Sequence, residues 1–234
     1  MGQGSVELAH EVPRGASEVE CVQCSSDDFA GRARSQAVTA TERSFNVGRI
    51  VVTEFVSLDG VMQAPGGEEF KYPGWSFAFD RGDDGNQFKL QETLETDVLL
   101  LGRVTYESFA GAWPGRDGEF ADKFNTMPKV VVSSTLRDPE WNNTTVLTGD
   151  AVEAVSKLKG EIDGIIQVPG SLRLVHALLE SDLVDELHLM VFPVVLGTGR
   201  RLFGETSDKS DWRLIEARPV GPDGVLVLVY ERVR

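Results

Sequence analysis

Two short apolar runs, "VLLL" at residues 98–101 and "VVV" at residues 130–132, constrain the fold of this chain more than any other feature. A strand with one face in solvent alternates apolar and polar residues, whereas these runs are apolar at every position. Strands of this kind belong in the middle of a largely parallel sheet that helices cover on both faces. The two runs therefore predict an α/β fold rather than a helix bundle or a β-sandwich.

Further β-rich runs alternate with amphipathic stretches along the chain, which is the pattern of an α/β sheet. Helices are predicted at 88–95, 151–158 and from Leu172 to near Ser181, where apolar residues recur three or four positions apart. The segments 64–86 and 111–118 are rich in Gly, Pro and Asp and are expected to be loops. The predicted strands are residues 50–57, 98–101, 129–133, 165–168, 187–193 and 225–231.

Residues 1–48 lack any sustained apolar periodicity. We expect them to form a disordered N-terminal extension ahead of one domain at 49–234.

Cys21 and Cys24 form a CxxC pair, which in other settings is half of a zinc site or a redox motif. A tetrahedral zinc site needs two more ligands and a redox pair needs a strand–helix setting, so no metal site is expected.

The formal net charge of −14 argues against a surface that binds nucleic acid. No apolar run approaches the length of about 20 residues that crosses a bilayer, and the first residues lack the pattern of a secretory signal. A cytoplasmic protein is expected. The charge does not exclude a phosphorylated ligand, because helix N-termini and a few arginines can hold a phosphate locally.

Glycine and polar residues follow three of the predicted strands, and in a parallel sheet such strand ends share the edge at which ligands bind. After the 98–101 strand, Gly102 permits close backbone approach, Arg103 carries a planar cation suited to phosphate, and Thr105 adds a hydroxyl. The alternative is that Gly102 makes a tight turn and Arg103 is a solvated side chain.

The other two strand ends carry hydroxyl groups. Ser133 and Ser134 could hold a ribose phosphate or cap the turn that follows their strand. Gly170 and Ser171 open a predicted helix whose free N–H groups suit a pyrophosphate, and Ser171 could equally be an ordinary N-cap.

Asp59 lies in the segment Ser57-Leu58-Asp59-Gly60 that ends the first strand. Its carboxylate could orient a substrate or a nicotinamide amide, or could cap the turn before Gly60. His176 and His188 have no neighbouring sequence pattern of a catalytic triad and are interpreted as structural. The glycine fingerprint of standard dinucleotide sites is absent, and Gly197-Thr198-Gly199 is interpreted as a turn.

Four segments taken in order resemble dihydrofolate reductase family proteins that carry the reductase domain of the bifunctional riboflavin deaminase-reductase. They are "VVTEFVSLDGVMQAPGG", "DVLLLGRVTYESFAGAWP", "KVVVSSTL" and "IIQVPGSLRLVHALLESDLVDELHLMVFPVVLGTGRRLF". The resemblance covers nearly everything from Arg49 to Arg234. It implies a dihydrofolate-reductase-like, mostly parallel central sheet flanked by helices, a homodimer, and NADPH lying across the strand ends.

The resemblance also implies roles for individual residues. The Gly-Arg-x-Thr turn and the serine pair would hold the adenosine phosphate, the Gly-Ser helix start would hold the pyrophosphate, and Asp59 would be the catalytic polar group near the nicotinamide. The implied cofactor-binding residues are Gly102, Arg103, Thr105, Ser133, Ser134, Gly170 and Ser171.

Two departures from the family bear on the substrate. Where the family has a folate-binding carboxylate early in the helix before the Gly-Arg-x-Thr strand, this chain reads Gly85-Asn86-Gln87-Phe88, with Asp83 and Asp84 only nearby. Residues 1–48 are also too short for a deaminase domain. The expected reaction is hydride transfer to a small heterocyclic or carbonyl compound, with 5-amino-6-(5-phosphoribosylamino)uracil or a related pyrimidine or pterin as candidates. The alternatives are a non-catalytic module that binds NADPH or a pterin, and a structural homodimer with a vestigial cleft.

Overall fold

The computed structural model describes residues 47–204 and 208–234. Cys21, Cys24 and nearly all of the expected N-terminal extension lie outside these described residues. The α-helices are α1 (Gly82–Glu95), α2 (Arg103–Ala112), α3 (Glu119–Thr126), α4 (Ala151–Glu161) and α5 (Leu172–Glu180), and a short 3-10 helix spans Trp75–Ala78. The strands are β1 (Arg49–Ser57), β2 (Val98–Gly102), β3 (Lys129–Val132), β4 (Thr144–Leu147), β5 (Ile165–Pro169), β6 (Glu186–Phe192), β7 (Trp212–Val220) and β8 (Val225–Arg232).

The eight strands form one sheet in the order β4-β3-β2-β5-β1-β6-β8-β7. Each pairing from β4 across to β6 is parallel, whereas β8 runs antiparallel to β6 and β7 antiparallel to β8. The α/β architecture is confirmed, and the mostly parallel sheet is more accurately a mixed sheet with an antiparallel edge. Because β2, β3, β5 and β1 are parallel neighbours, their carboxyl ends meet at one edge.

The apolar runs of the sequence are indeed interior strands. On one face of the sheet, Val52 and Val56 of β1 share a core with Val175 and Leu178 of α5. On the other face, Leu99 and Leu101 of β2 pack with residues of α2 and α3. None of the helices in the described part of the chain is long and apolar enough to span a membrane.

The predicted loop at 64–86 is wrong in its second half, where the 3-10 helix and the first turns of α1 lie. The segment Gly82–Gln87 is polar, so apolar periodicity could not reveal it, but Asp83 and Asp84 suit the positive end of a helix dipole. The helix α3 and the edge strands β4 and β7 were also not predicted. Edge strands bury less of their surface, and β7 alternates exposed and half-buried residues over most of its length.

Candidate active site

A cleft of about 1570 Å³ opens over the carboxyl ends of the parallel strands. The structure brings together in its lining every residue that the sequence analysis assigned to cofactor binding. These residues are Gly102, Arg103, Thr105, Ser133, Ser134, Gly170 and Ser171. Among the described residues, no group of three or more His, Cys, Asp or Glu side chains could hold a metal ion.

Two of the turns at this edge are joined by reciprocal hydrogen bonds. The Gly102 N–H donates to Ser171 Oγ at 2.9 Å, and the Ser171 N–H donates to Thr105 Oγ1 at 2.9 Å. The end of β2 and the start of α2 are therefore fixed against the β5–α5 turn. Gly102 has an extended backbone with φ −79° where β2 passes directly into α2, so its own conformation does not require glycine.

The β5–α5 turn is built from two consecutive left-handed residues. Gly170 has φ 58° and Ser171 has φ 59°. A Cβ atom on Gly170 would lie 3.1 Å from the Thr105 side chain, so both the backbone conformation and the space require glycine here. Ser171 is the N-cap residue of α5, but its side chain makes no cap hydrogen bond, so it is not an ordinary serine N-cap. Its hydroxyl instead joins the two turns.

The two serines after β3 have different environments. Ser133 is buried, and its Oγ accepts hydrogen bonds from the N–H groups of Thr135 at 3.1 Å and Leu136 at 2.9 Å. The Ser133 hydroxyl therefore caps the turn after β3, which was one of the two alternatives for the serine pair. Ser134 is exposed, and within the described part of the chain its hydroxyl makes no intramolecular hydrogen bond. Of the two hydroxyls, that of Ser134 has all of its hydrogen-bonding capacity free for a ligand.

Arg103 begins α2 at the rim of the cleft. Its Nη1 donates to both carboxylate oxygens of Glu107 at 2.8 Å, one helical turn away. Both side chains are more than two-fifths exposed. An exposed ion pair of this spacing contributes at most a few tenths of a kcal/mol, about 0.3–0.5. A bound phosphate can therefore compete with Glu107 for the guanidinium at little cost.

Glu54 was not predicted as a site residue. It lies in the middle of β1 and in the wall of the cleft. Glu54 is 4% exposed, and its Oε1 has no hydrogen-bond partner among the described residues. Burial raises the pKa of Glu54 well above its ordinary value of 4.5, and the Lys89 charge and a hydrogen bond from the Gly170 backbone oppose this shift. A carboxyl group inside the otherwise apolar run of β1 was the available signal.

A buried polar cluster lies on the α1 face of the same strand. Lys89 Nζ donates to Thr53 Oγ1 at 2.5 Å and pairs with Glu92 Oε2 at 2.5 Å. Thr53 Oγ1 also donates to Glu92 Oε1 at 3.0 Å. Thr53 and Lys89 line the cleft, so Glu92 holds a cationic side chain at its wall.

His188 completes this cluster from β6. Its Nδ1 lies 2.7 Å from Glu92 Oε1 and its Nε2 lies 3.1 Å from Glu186 Oε2. Burial alone would lower the pKa of His188, but the hydrogen bonds and charges of Glu186 and Glu92 outweigh burial and raise the pKa to about 9. His188 does not line the cleft, which agrees with its interpretation as structural, and it lies between two carboxylates that the sequence pattern did not reveal.

The comparisons with known proteins agree with this architecture. The sequence profile of the RibD C-terminal domain matches residues 49–226. The chain belongs to the RibD C-terminal domain family. It is 26% identical over 190 residues to the uncharacterized protein YyaP of Bacillus subtilis (strain 168), an alignment that covers 78% of this chain and 94% of YyaP.

Two solved structures show the same fold as this RibD C-terminal domain protein. A riboflavin biosynthesis protein from Shewanella sp. PV-4 superposes with a TM-score of 0.62 at 22% identity, covering 80% of this chain and 99% of that one. Dihydrofolate reductase from Enterococcus faecalis superposes with a TM-score of 0.53 at 16% identity, covering 80% and 97%. The two superpositions show that this family member has the dihydrofolate-reductase-like fold.

Of the predicted site residues in this RibD C-terminal domain protein, Asp59 alone does not line the cleft. Its carboxylate accepts hydrogen bonds from Ser57 Oγ at 2.7 Å and from the N–H groups of Leu196 at 3.0 Å and Gly197 at 2.9 Å. The Ser57 hydroxyl is the main cause that lowers the pKa of Asp59 to about 2, and the Leu196 N–H adds to it. These contacts favour a structural role for Asp59, although the backbone N–H groups that it binds belong to Leu196 and Gly197 and not to the turn before Gly60.

Replacing Asp59 with asparagine separates its two interpretations. The amide nitrogen of asparagine cannot accept a hydrogen bond from Gly197, so we expect the free energy of unfolding to fall by about 1–3 kcal/mol. The affinity for NADPH should stay within about threefold of wild type. Urea unfolding and nucleotide titration measure the two quantities. Unchanged stability together with loss of hydride transfer would instead support the catalytic role.

Proposed function

We propose that this protein is an NADPH-dependent reductase that transfers a hydride to a C=N or C=O bond of a small heterocycle or sugar. The observation that carries the proposal is the convergence of three strand-end turns on one cleft, with two of the turns joined through Gly102, Ser171 and Thr105. A cleft of about 1570 Å³ has room for a dinucleotide and a second small molecule.

The residues of the cleft fit a dinucleotide phosphate. Gly170 precedes α5 and has no Cβ, which would lie 3.1 Å from the Thr105 side chain. At the start of α5 the first N–H groups have no acceptor within the helix and suit a pyrophosphate. Arg103 and the free Ser134 hydroxyl suit the additional phosphate that distinguishes NADPH from NADH. When bound, the reduced nicotinamide supplies a hydride. The related fold of Enterococcus faecalis dihydrofolate reductase, whose structure is a complex with NADP(H), supports the same cofactor.

The first acceptor to test is 5-amino-6-(5-phosphoribosylamino)uracil, because the RibD family match points to riboflavin biosynthesis. In the first two turns of α1 the residue that lines the cleft is Asn86, while the carboxylates of Asp83 and Asp84 lie outside the lining, and this disfavours folate. The proposal includes a homodimer. The edge strand β7 supports it with two half-exposed apolar side chains, Leu214 at 50% and Ile215 at 55%.

Titration of the purified protein with NADPH and with NADH tests the proposal, with nicotinamide fluorescence and thermal shift as readouts. Preferential binding of NADPH followed by steady oxidation with the aminopyrimidine ribose phosphate is the expected result. Binding of NADPH with no oxidation by pyrimidine, pterin or carbonyl compounds would favour the non-catalytic binding module. Binding of neither nucleotide would reject the cofactor assignment.

Replacing Arg103 with alanine should weaken NADPH binding by about 10- to 100-fold, because a charge-assisted phosphate contact contributes about 1.5–3 kcal/mol. NADH lacks the additional phosphate and should lose less than about threefold. Isothermal titration calorimetry with both nucleotides measures the difference. Glu107→Gln should act in the opposite direction by releasing the guanidinium of Arg103, and Arg137→Ala, an exposed arginine outside the cleft, is the matched control. Equal losses for both nucleotides would refute the role of Arg103.

A further inference from the structure

Glu54 lies under the β5–α5 turn, at the bottom of the candidate site. In the register of the sheet, Thr53 pairs with Pro169 on β5, and Glu54 pairs with Leu189 on β6. Val52 and Val56, which flank Glu54 on the same face of β1, belong to the core beneath α5. The carboxyl group therefore lies between the apolar core that contains Val52 and Val56 and the turn at Gly170.

The charges near Glu54 do not form an ion pair with it. Its Oε1 is buried without a hydrogen-bond partner among the described residues. Lys89 and Glu92, both on α1, are the charged groups that influence it most, and they act in opposite directions because Lys89 favours the carboxylate and Glu92 disfavours it. Lys89 is already engaged by Thr53 and Glu92. Burial thus dominates, and the pKa of Glu54 lies well above its ordinary value.

Burial of an ionised carboxylate without a partner is so costly that such a group keeps its proton instead. A protonated carboxyl can donate one hydrogen bond or one proton, whereas a carboxylate can only accept. An apolar side chain could pack here as Val52 and Val56 do, and it would lose only the hydrogen bond from the Gly170 backbone. The position of Glu54 in the cleft wall gives the proton a use.

We propose that Glu54 is the catalytic acid of this site, the group that delivers the proton that must accompany hydride transfer to a C=N or C=O bond. This inference rests on the proposed reductase function and names a residue for it. Thr53 and Lys89 line the cleft beside Glu54. Among the described residues, Oε1 of Glu54 is a buried oxygen without a hydrogen-bond partner.

The step balances as follows in atoms and electrons. The acceptor carbon gains the hydride that the bound reduced nicotinamide supplies, and the π electrons of the C=N or C=O bond move to the nitrogen or oxygen. Glu54 gives its proton to that nitrogen or oxygen, which forms the new N–H or O–H bond. The Glu54 carboxylate then recovers a proton from water, so that the net change is one hydride and one proton added to the acceptor.

Difference infrared spectroscopy tests the protonation state of Glu54 without any substrate. Spectra of wild type minus Glu54→Gln are recorded from about pH 5 to about pH 8, with and without NADPH. We expect the carbonyl band of a protonated carboxyl group at neutral pH in wild type and its absence in Glu54→Gln. Glu180→Gln makes the same chemical change at an exposed position outside the cleft and should keep the band. Absence of the band from wild type at neutral pH would overturn the proposal.

Kinetics with NADPH and 5-amino-6-(5-phosphoribosylamino)uracil test the role in the reaction. Glu54→Gln should lower kcat by about 100-fold or more and flatten its pH profile, because general acids contribute about 10²–10⁴-fold. NADPH affinity should stay within about threefold, since glutamine is isosteric and can still accept the hydrogen bond from Gly170. An unchanged kcat, or a loss of NADPH affinity large enough to explain the loss of rate, would overturn the assignment.

These outcomes are distinguishable from failure of the proposed function itself. If wild type binds neither nucleotide, the reductase proposal fails whatever the infrared result. If wild type binds NADPH but does not reduce the aminopyrimidine, only the substrate assignment fails, and the infrared arm with NADPH bound decides on Glu54. A band that persists with NADPH bound supports the proposal, and a band that disappears overturns it.

Discussion

Replacing Glu92 with alanine is expected to lower the free energy of unfolding by about 3–5 kcal/mol, the usual cost of removing one partner from a buried ion pair. Glu92 accepts hydrogen bonds from His188 Nδ1 at 2.7 Å and from Thr53 Oγ1 at 3.0 Å, and it pairs with Lys89 at 2.5 Å. Burial by itself raises the pKa of Glu92, but the Lys89 charge and the His188 hydrogen bond outweigh burial and leave the pKa below its ordinary value. Its removal leaves two partly buried cations, Lys89 and His188, without this partner.

The same cluster predicts how stability varies at alkaline pH. The folded pKa of His188 is raised from 6.5 to about 9, so its contribution is fully present below about pH 6.5 and is lost as the pH rises through about 9. In Glu92→Ala only Glu186 remains to hold the imidazolium, and this alkaline loss should become smaller. Urea unfolding of both proteins between about pH 6 and about pH 9.5 measures the difference.

Glu95→Ala is the matched control for Glu92→Ala, because it makes the same substitution three positions later in α1. Glu95 is exposed and accepts one hydrogen bond, from Gln91. Its replacement should change the free energy of unfolding by less than about 0.5 kcal/mol. If the two variants differed by less than about 1 kcal/mol, the cluster around Glu92 would not stabilise the fold as argued.

The interior strands were predictable because they are buried on both faces, and burial leaves a local trace in the sequence. The runs that became β2 and β3 are apolar at every position, so their place in a parallel sheet followed directly. Edge strands leave a weaker trace. β4 reads Thr-Thr-Val-Leu with no fully buried residue, and only its pairing with β3 defines it as a strand. Propensity alone could not identify it.

The residues of the candidate site were largely predictable, whereas their contacts were not. Topology brings the ends of parallel strands together, so Gly102 and Gly170 were found from their positions alone. The left-handed conformation of Ser171 depends on hydrogen bonds to Gly102 and Thr105, residues at least 66 positions away in the chain. By contrast, the pairing of Arg103 with Glu107 is local, and their spacing of four residues within a helix could have indicated it.

Replacing Glu54 with glutamine should stabilise the folded protein, and the gain should increase with pH. The pKa of Glu54 is raised above 4.5 in the folded state, chiefly by burial. Below about pH 4.5 the folded and unfolded chains both hold this proton, and neither state is favoured. Above that value the unfolded chain releases the proton more readily, so wild-type stability falls as the pH rises toward the folded pKa. Glutamine does not titrate, and the loss disappears in the variant.

We expect Glu54→Gln to gain free energy of unfolding at about pH 8, by about 1.4 kcal/mol for each pH unit that separates 4.5 from the folded pKa, and to gain close to nothing at about pH 4.5. Thermal and urea unfolding across this pH range measure the gain, and Glu180→Gln should show no such trend. A site residue whose loss stabilises the fold while slowing the reaction is one retained for chemistry rather than for packing. A pH-independent loss of stability in Glu54→Gln would show instead that the carboxyl group serves the fold, and it would remove the physical basis for a proton held at the wall of the cleft.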